Sequence, residues 1–253
     1  MAYKLGLVGA DQHPNRLARY QPANALHEVQ DSVSYEYLFP HDQGDQDPWG
    51  ACCSFAAASF LETALKKHHG VDLTISRRAI YAMAQKRFHH SWIGTDSGLY
   101  GSDVLGVLQL DGVVKDADWP YNVAKERFFD AVPQSLVQTD HRLLSFRRVT
   151  GSEDAPVTRF EKMHVALSEN GCLLIGMTWP EAFFYPEGRK LPAKPAGGIA
   201  GGHEIICVAS SRSRRVAVVR CAWAGYGDRG FVEIPWDVSG EFAPSDVYCA
   251  LAP

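Results

Sequence analysis

No stretch of this chain approaches the roughly 18 consecutive apolar residues that a membrane-spanning helix needs, so no membrane partner is expected. Basic residues do not accumulate in any block. Lys and Arg total 25 against 29 Asp and Glu, for a formal net charge of −4. A nucleic-acid partner is therefore not expected. The start, "MAYKLGLVGADQ", carries only a short apolar patch from Leu5 to Ala10. It has neither a basic lead nor a full apolar region, so a secretory signal is not expected. The cysteines show no C-x-x-C pair and no zinc-finger spacing, which removes structural zinc and a disulfide framework from consideration. No internal repeat is found.

What remains is a 253-residue chain, 46% hydrophobic and 21% charged, long enough to bury a sizeable core without staples. Six cysteines are present: Cys52, Cys53, Cys172, Cys207, Cys221 and Cys249. Their scatter predicts reduced thiols in a cytoplasmic or other reducing compartment, with a virion or a delivered effector as further settings. Residues 1–45 read as an irregular N-terminal arm laid over the fold, and 46–253 as the main domain. Its helical half runs to about 130 and its β half covers about 131–253.

"CCSFAAASFLETALKKHH" (52–69) has no Gly or Pro and stops at Gly70, which predicts a helix with Cys52 in its first turn. "SRRAIYAMAQKRF" (76–88) predicts a second helix capped by Ser76. "SGLYGSDVLGVLQLDG" (97–112) predicts a third. Segments 172–179, 203–210, 215–223, 230–234 and 247–252 are rich in β-branched residues and read as strands. The stretch 185–202 is rich in Gly and Pro and reads as a mobile loop gating His203, which opens a strand. Helices followed by antiparallel strands make an α+β layout with a cleft at the junction.

The chemistry concentrates there. A cysteine at a helix N-terminus has a lowered thiol pKa, and an imidazole facing it completes a nucleophile–base pair. Cys52 and His203 fit those two roles. Gln46, on the turn before the helix, can donate to an oxyanion together with the Cys52 N–H. Gln43 also precedes the cysteine but lies farther away. The doublets His68-His69 and His89-His90 have no acidic or cysteine partners nearby in sequence and read as surface residues. No metal and no cofactor are expected.

"QDPWGACCSF", "GGHEIICV" and "VRCAWAGYGDRGFVEI" occur in that order, with "GLYGSDVLGVLQLDGVVKDADWPY" between the first two. This arrangement resembles the papain-like cysteine peptidases. The resemblance covers residues of about 43–250 and implies a papain-like fold, with a helical left half, an antiparallel β-barrel-like right half and the active-site cleft between. It implies Cys52 as nucleophile, His203 as base and Gln46 as oxyanion donor. It also implies a substrate-binding wall of Gly98, Leu99, Gly176 and Trp223, the last at the place that shields the family's histidine–asparagine hydrogen bond, and a polypeptide as substrate. Cys53 takes the place of the family's aromatic residue and reads as a small buried hydrophobe.

Two departures stand out. The family's orienting asparagine corresponds to Cys221, and a thiol is a weak acceptor. Trp49 and Thr95 stand where the family's nearby disulfide would be. The expected function is thiol-dependent peptide hydrolysis, weakened by Cys221. The alternatives are an impaired papain-like module serving binding or assembly in a larger particle, and a Cys–His acyltransferase or deamidase effector.

Cys52 should be the fastest of the six cysteines to alkylate near neutral pH. Site-resolved mass spectrometry after brief exposure to a slow alkylator checks this. A rate no higher than that of Cys172 or Cys249 would remove the basis for a nucleophile at position 52.

Overall fold

The computed structural model describes residues 4–6, 18–22, 29–39, 44–150 and 153–250. The central helix α1 (Cys52–His69) is built on alanine and leucine and carries no breaker. It ends where Gly70 turns left-handed, at φ 66°, and returns its N–H to the Leu65 and Lys66 carbonyls. Residues 52–61 are all buried. The small Ala56, Ala57 and Ala58 let neighbouring backbones approach α1 closely. Helix α2 (Arg77–Phe88) starts at Ser76, whose side chain accepts from the Ala79 N–H, as expected for a cap.

Helix α3 (Gly101–Leu110) is shorter than its sequence suggests. Gly98 sits at φ +72° and Tyr100 is extended, so 97–100 form an open wall before the helix begins. Three helices thus fill the first half. A fourth, α4 (Pro156–Asn170), lies in the half read as β. Its first-turn proline suits a helix start, and Phe160, Met163, Ala166 and Leu167 give it one buried face. Phe160 stacks on Trp236 at 5.9 Å.

The described strands form one seven-stranded sheet. They are β1 (Ser32–Ser34), β2 (Phe146–Thr150), β3 (Leu173–Pro180), β4 (Ile199–Ser211), β5 (Val216–Arg220), β6 (Phe231–Pro235) and β7 (Asp246–Ala250). The order is β2-β7-β3-β4-β5-β6, every pair antiparallel, with β1 joining β4 beyond the end of β3. The expected antiparallel α+β architecture is therefore present. Strand β4 begins at Ile199, earlier than the sequence suggests, because Gly201 and Gly202 pair with Trp179 and Thr178. His203 consequently lies within a strand, opposite Met177.

Two regions differ from the sequence reading. Residues 199–202 are strand rather than loop, and the preceding stretch is pinned. Leu191 is buried and donates its N–H to Glu233, while Arg189 pairs with Glu36 at 3.0 Å. Parts of the N-terminal arm pair with the sheet: β1 lies on β4, and Tyr20 donates its N–H to the Arg148 carbonyl on β2.

Arg148 on β2 meets Asp246 on β7 at 2.8 Å, with both side chains about 95% withdrawn from water (5% and 6% exposed). Removing one partner strands a buried charge, a loss of about 3–5 kcal/mol. Asp246→Ala should therefore lower the urea midpoint sharply, and adding Arg148→Met should recover much of the loss. A single variant within about 1 kcal/mol of wild type would show that water reaches the pair.

Candidate active site

The turn before α1 is fixed from both halves of the molecule. The Gln46 N–H donates to the Ala222 carbonyl at 2.9 Å, and the Gln46 carbonyl accepts from the Trp49 N–H and the Tyr121 hydroxyl. The Gln46 side chain is fully buried. This places its amide at the start of α1, where Ala51 supplies no side-chain cap. The first backbone N–H groups of α1 are therefore free of capping and favour negative charge there. Cys52, in the first position of the helix, is buried at 1% exposure.

Burial pushes the Cys52 thiol up, but four interactions outweigh it. Hydrogen bonding from Cys53 and from His203, the His203 charge and the Glu204 backbone N–H together hold Cys52 well below the ordinary thiol value. The other five cysteines go the opposite way. Burial raises Cys53 and Cys221 well above that value, lifts Cys172 and Cys249 to about 12, and raises Cys207 further. Cys53 faces backbone, with its thiol 3.2 Å from the Leu99 carbonyl, which fits its reading as a buried small residue.

The His203 ring is fully buried and lies flat on Trp223, with centroids 4.3 Å apart at 5°. Trp179 closes its edge at 4.7 Å. This aromatic box excludes water from the imidazole. Apart from the Cys52 sulfur, neither ring nitrogen has a hydrogen-bond partner among the described residues. Cys221 supplies none. Its N–H goes to the Gly230 carbonyl and its buried thiol stays protonated.

The cleft wall of Gly98 and Leu99 is braced through Asp96, which sequence reasoning missed. Asp96 Oδ1 accepts from the Gly50 N–H at 3.0 Å and from the Tyr81 hydroxyl at 3.2 Å. The Tyr81 oxygen in turn accepts from the Gly98 N–H at 3.0 Å. These bonds join the segments that carry Trp49 and Thr95. Trp49 itself stacks on Phe128 at 4.3 Å.

A second feature without a sequence signal is the occupant of the cleft. Residues 4–6 lie in it. The Gln46 amide donates to the Lys4 carbonyl at 2.6 Å, and the Leu99 N–H donates to the Gly6 carbonyl at 2.7 Å. A Cβ on Gly6 would stand 1.7 Å from the Gly50 carbonyl oxygen, so only glycine fits. Leu5 packs over Gly201 beside His203. Nothing in "KLG" as a sequence marks it for this contact, which depends entirely on the folded cleft.

Other sequence candidates fall elsewhere. Gly176 is buried in β3, opposite Glu204 and Asp246. Gln43 lies outside the described residues. His89 is half-buried rather than on the surface, because it stacks on Trp92 at 3.9 Å and meets Asp103 at 2.5 Å.

Comparison with known proteins agrees with this geometry. The model of the papain family cysteine protease matches residues 41–246. Cysteine proteinase 2 of Entamoeba histolytica is 26% identical over 196 residues, 75% of this chain and 58% of the relative, so the chain spans well under two thirds of that protein. In fold, the chain is similar to xylellain, a cysteine protease from Xylella fastidiosa, with a TM-score of 0.77 and 20% identity over 100% of this chain and 98% of that one. It is also similar to procathepsin B S9 from Trypanosoma congolense, with a TM-score of 0.75 and 15% identity over 99% and 87%.

A thiol whose folded pKa lies below its unfolded value stabilises the fold above the unfolded value and loses that contribution as pH falls through the folded one. Cys52 alkylation should accordingly persist well below the ordinary thiol range near 8.5. His203→Ala should move the inflection upward and slow alkylation at neutral pH by about tenfold or more. Rate against pH, scored at Cys52, checks both. An unchanged inflection in His203→Ala would mean that the helix terminus alone sets the thiolate.

Proposed function

The chain belongs to the papain family of cysteine proteases, and from that premise we propose that it hydrolyses peptide bonds through a Cys52–His203 pair. One observation carries the reading: of six buried thiols, Cys52 alone is held low, and the imidazole that helps to hold it lies in an aromatic box. The thiolate attacks the scissile carbonyl carbon, and the carbonyl π electrons move to oxygen. The Gln46 amide and the Cys52 N–H stabilise that oxyanion. Protonated His203 then gives its proton to the leaving amine as the C–N bond breaks, which leaves a thioester on Cys52. Neutral His203 takes a proton from water. The resulting hydroxide equivalent expels the thiolate and releases the acid.

Residues 4–6 already occupy the Gln46 amide, so a substrate must displace them. A compartment that keeps thiols reduced suits the activity, because the thiolate is also the form that oxidises. A second reading rests on His203 itself. With no partner on the ring besides Cys52, nothing on its far nitrogen fixes the orientation that proton transfer needs. A cleft of this kind can serve binding while turning over slowly or not at all.

Cys221→Asn separates the two readings. An asparagine carbonyl there would accept the imidazole N–H and fix both ring and tautomer. Orientation of this kind is worth on the order of ten- to several-hundred-fold in rate. Turnover of a mixed peptide pool should rise by that factor in Cys221→Asn over wild type, with Cys52→Ala as blank. A wild type equal to the blank, with no rescue by asparagine, would favour the binding reading.

A further inference from the structure

We infer that Asp96 is a specificity-determining residue that selects a lysine side chain on the residue whose carbonyl is presented to Gln46; the inference rests on the peptidase reading of this cleft. Three observations meet at this carboxylate. First, it is largely withdrawn from water, with its side chain 12% exposed. Second, the groups that fix it are neutral: the Gly50 N–H and the Tyr81 hydroxyl. They hold its position without cancelling its charge. Third, the cation that it meets is the ammonium of Lys4, and the Lys4 carbonyl is the one bonded to the Gln46 amide.

That third relation gives the inference its direction. The Gln46 amide is the group proposed to hold the carbonyl under attack. A residue that places its carbonyl there therefore brings its own side chain within reach of Asp96, as Lys4 does. The Lys4 N–H also donates to Asp47 Oδ1 at 3.2 Å, so a second carboxylate lines the same corner. An apolar side chain would leave Asp96 partly dehydrated and unpaired, which disfavours it. The two oxygens are not equivalent. Oδ1 accepts from Gly50 and Tyr81, while Oδ2 carries the ammonium and only shares the Gly50 N–H, at 3.2 Å. A single accepting oxygen suits the compact charge of lysine better than the two-pronged fork of arginine.

The test uses the full chain and three otherwise identical fluorogenic peptides with lysine, arginine or norleucine before the cleaved bond. In parallel, peptidyl acyloxymethyl ketones with lysine or norleucine at that place label Cys52 and are scored by mass spectrometry. Wild type should favour lysine over norleucine by about tenfold in kcat/KM, the scale of one partly buried ion pair, mainly through KM. Arginine should fall between them. Asp96→Asn keeps an acceptor for Gly50 and Tyr81, and it should bring the lysine-to-norleucine ratio close to one whatever it does to the absolute rates. The lysine preference should also shrink at high salt. Equal turnover of lysine and norleucine peptides by wild type, or a lysine preference that survives Asp96→Asn, would overturn the inference. Should no peptide be cut while Cys52 still labels faster with the lysine probe, hydrolysis fails and the selectivity stands. Equal labelling by the two probes would overturn the selectivity whatever the turnover.

Discussion

The structure depends on how one sulfur is held where water scarcely reaches it: the Cys52 thiol is drawn well below its ordinary value although it is buried. Burial alone drives a thiol the other way, as Cys53, Cys172, Cys207, Cys221 and Cys249 all demonstrate. Cys52 escapes through the hydrogen bond from Cys53, the imidazole of His203, the Glu204 N–H and the uncapped start of α1. None of these comes from one segment. The helix supplies the sulfur, β4 supplies both His203 and Glu204, and the two halves must meet within hydrogen-bonding range for the charge to persist. The long buried run of α1 and its alanine face then follow as requirements, because a bulkier helix would hold β4 away.

A cleft between two halves needs a frame, and here the frame is hydrogen-bonded. The Gln46 backbone is tied to Ala222 in the β half and to Tyr121 in the helical half. Asp96 ties Gly50, two residues before Cys52, to Tyr81, and Tyr81 holds Gly98 on the opposite wall. The segments so joined are those that carry Trp49 and Thr95, which the resemblance reads as the positions of the family's disulfide. A charge-assisted bond to a buried carboxylate is stronger than a neutral one. Unlike a disulfide, such a frame is indifferent to redox poise, and its carboxylate stays available to a ligand.

The parts legible in the sequence were those whose signals are local. Helices α1 and α2 announce themselves through composition and breakers, and Ser76 through its capping chemistry. The order of Cys52, His203 and the Trp223 segment conveyed the cleft. Helix α4 is absent from that reading, because its buried positions alternate with charged ones in the half dominated by strands. Strand β1 is three residues long and exists only by pairing with β4. The shortening of α3 follows from Leu99, whose N–H is engaged by Gly6 rather than by the helix. Asp96 and His89 were illegible for the same reason: their partners are distant in the chain and nothing next to them in sequence signals the contact.

The segment at residues 4–6 draws these threads together. It is held by the groups that a substrate would need: the Gln46 amide, the Leu99 N–H and the Asp96 carboxylate. Its hold is steric as well as polar, since Gly6 passes where any side chain would collide with Gly50. An empty cleft would leave the Gln46 amide and the Asp96 charge facing whatever water the aromatic box admits, and dehydrated polar groups without partners are costly. Lys4 and Gly6 satisfy them from within the same chain, where the effective concentration is high and no second molecule has to be immobilised. Under the proposed function, the polar groups that would bind an extended substrate are therefore the same ones that favour occupation by residues 4–6, so affinity for substrate and self-occupancy could not be tuned independently.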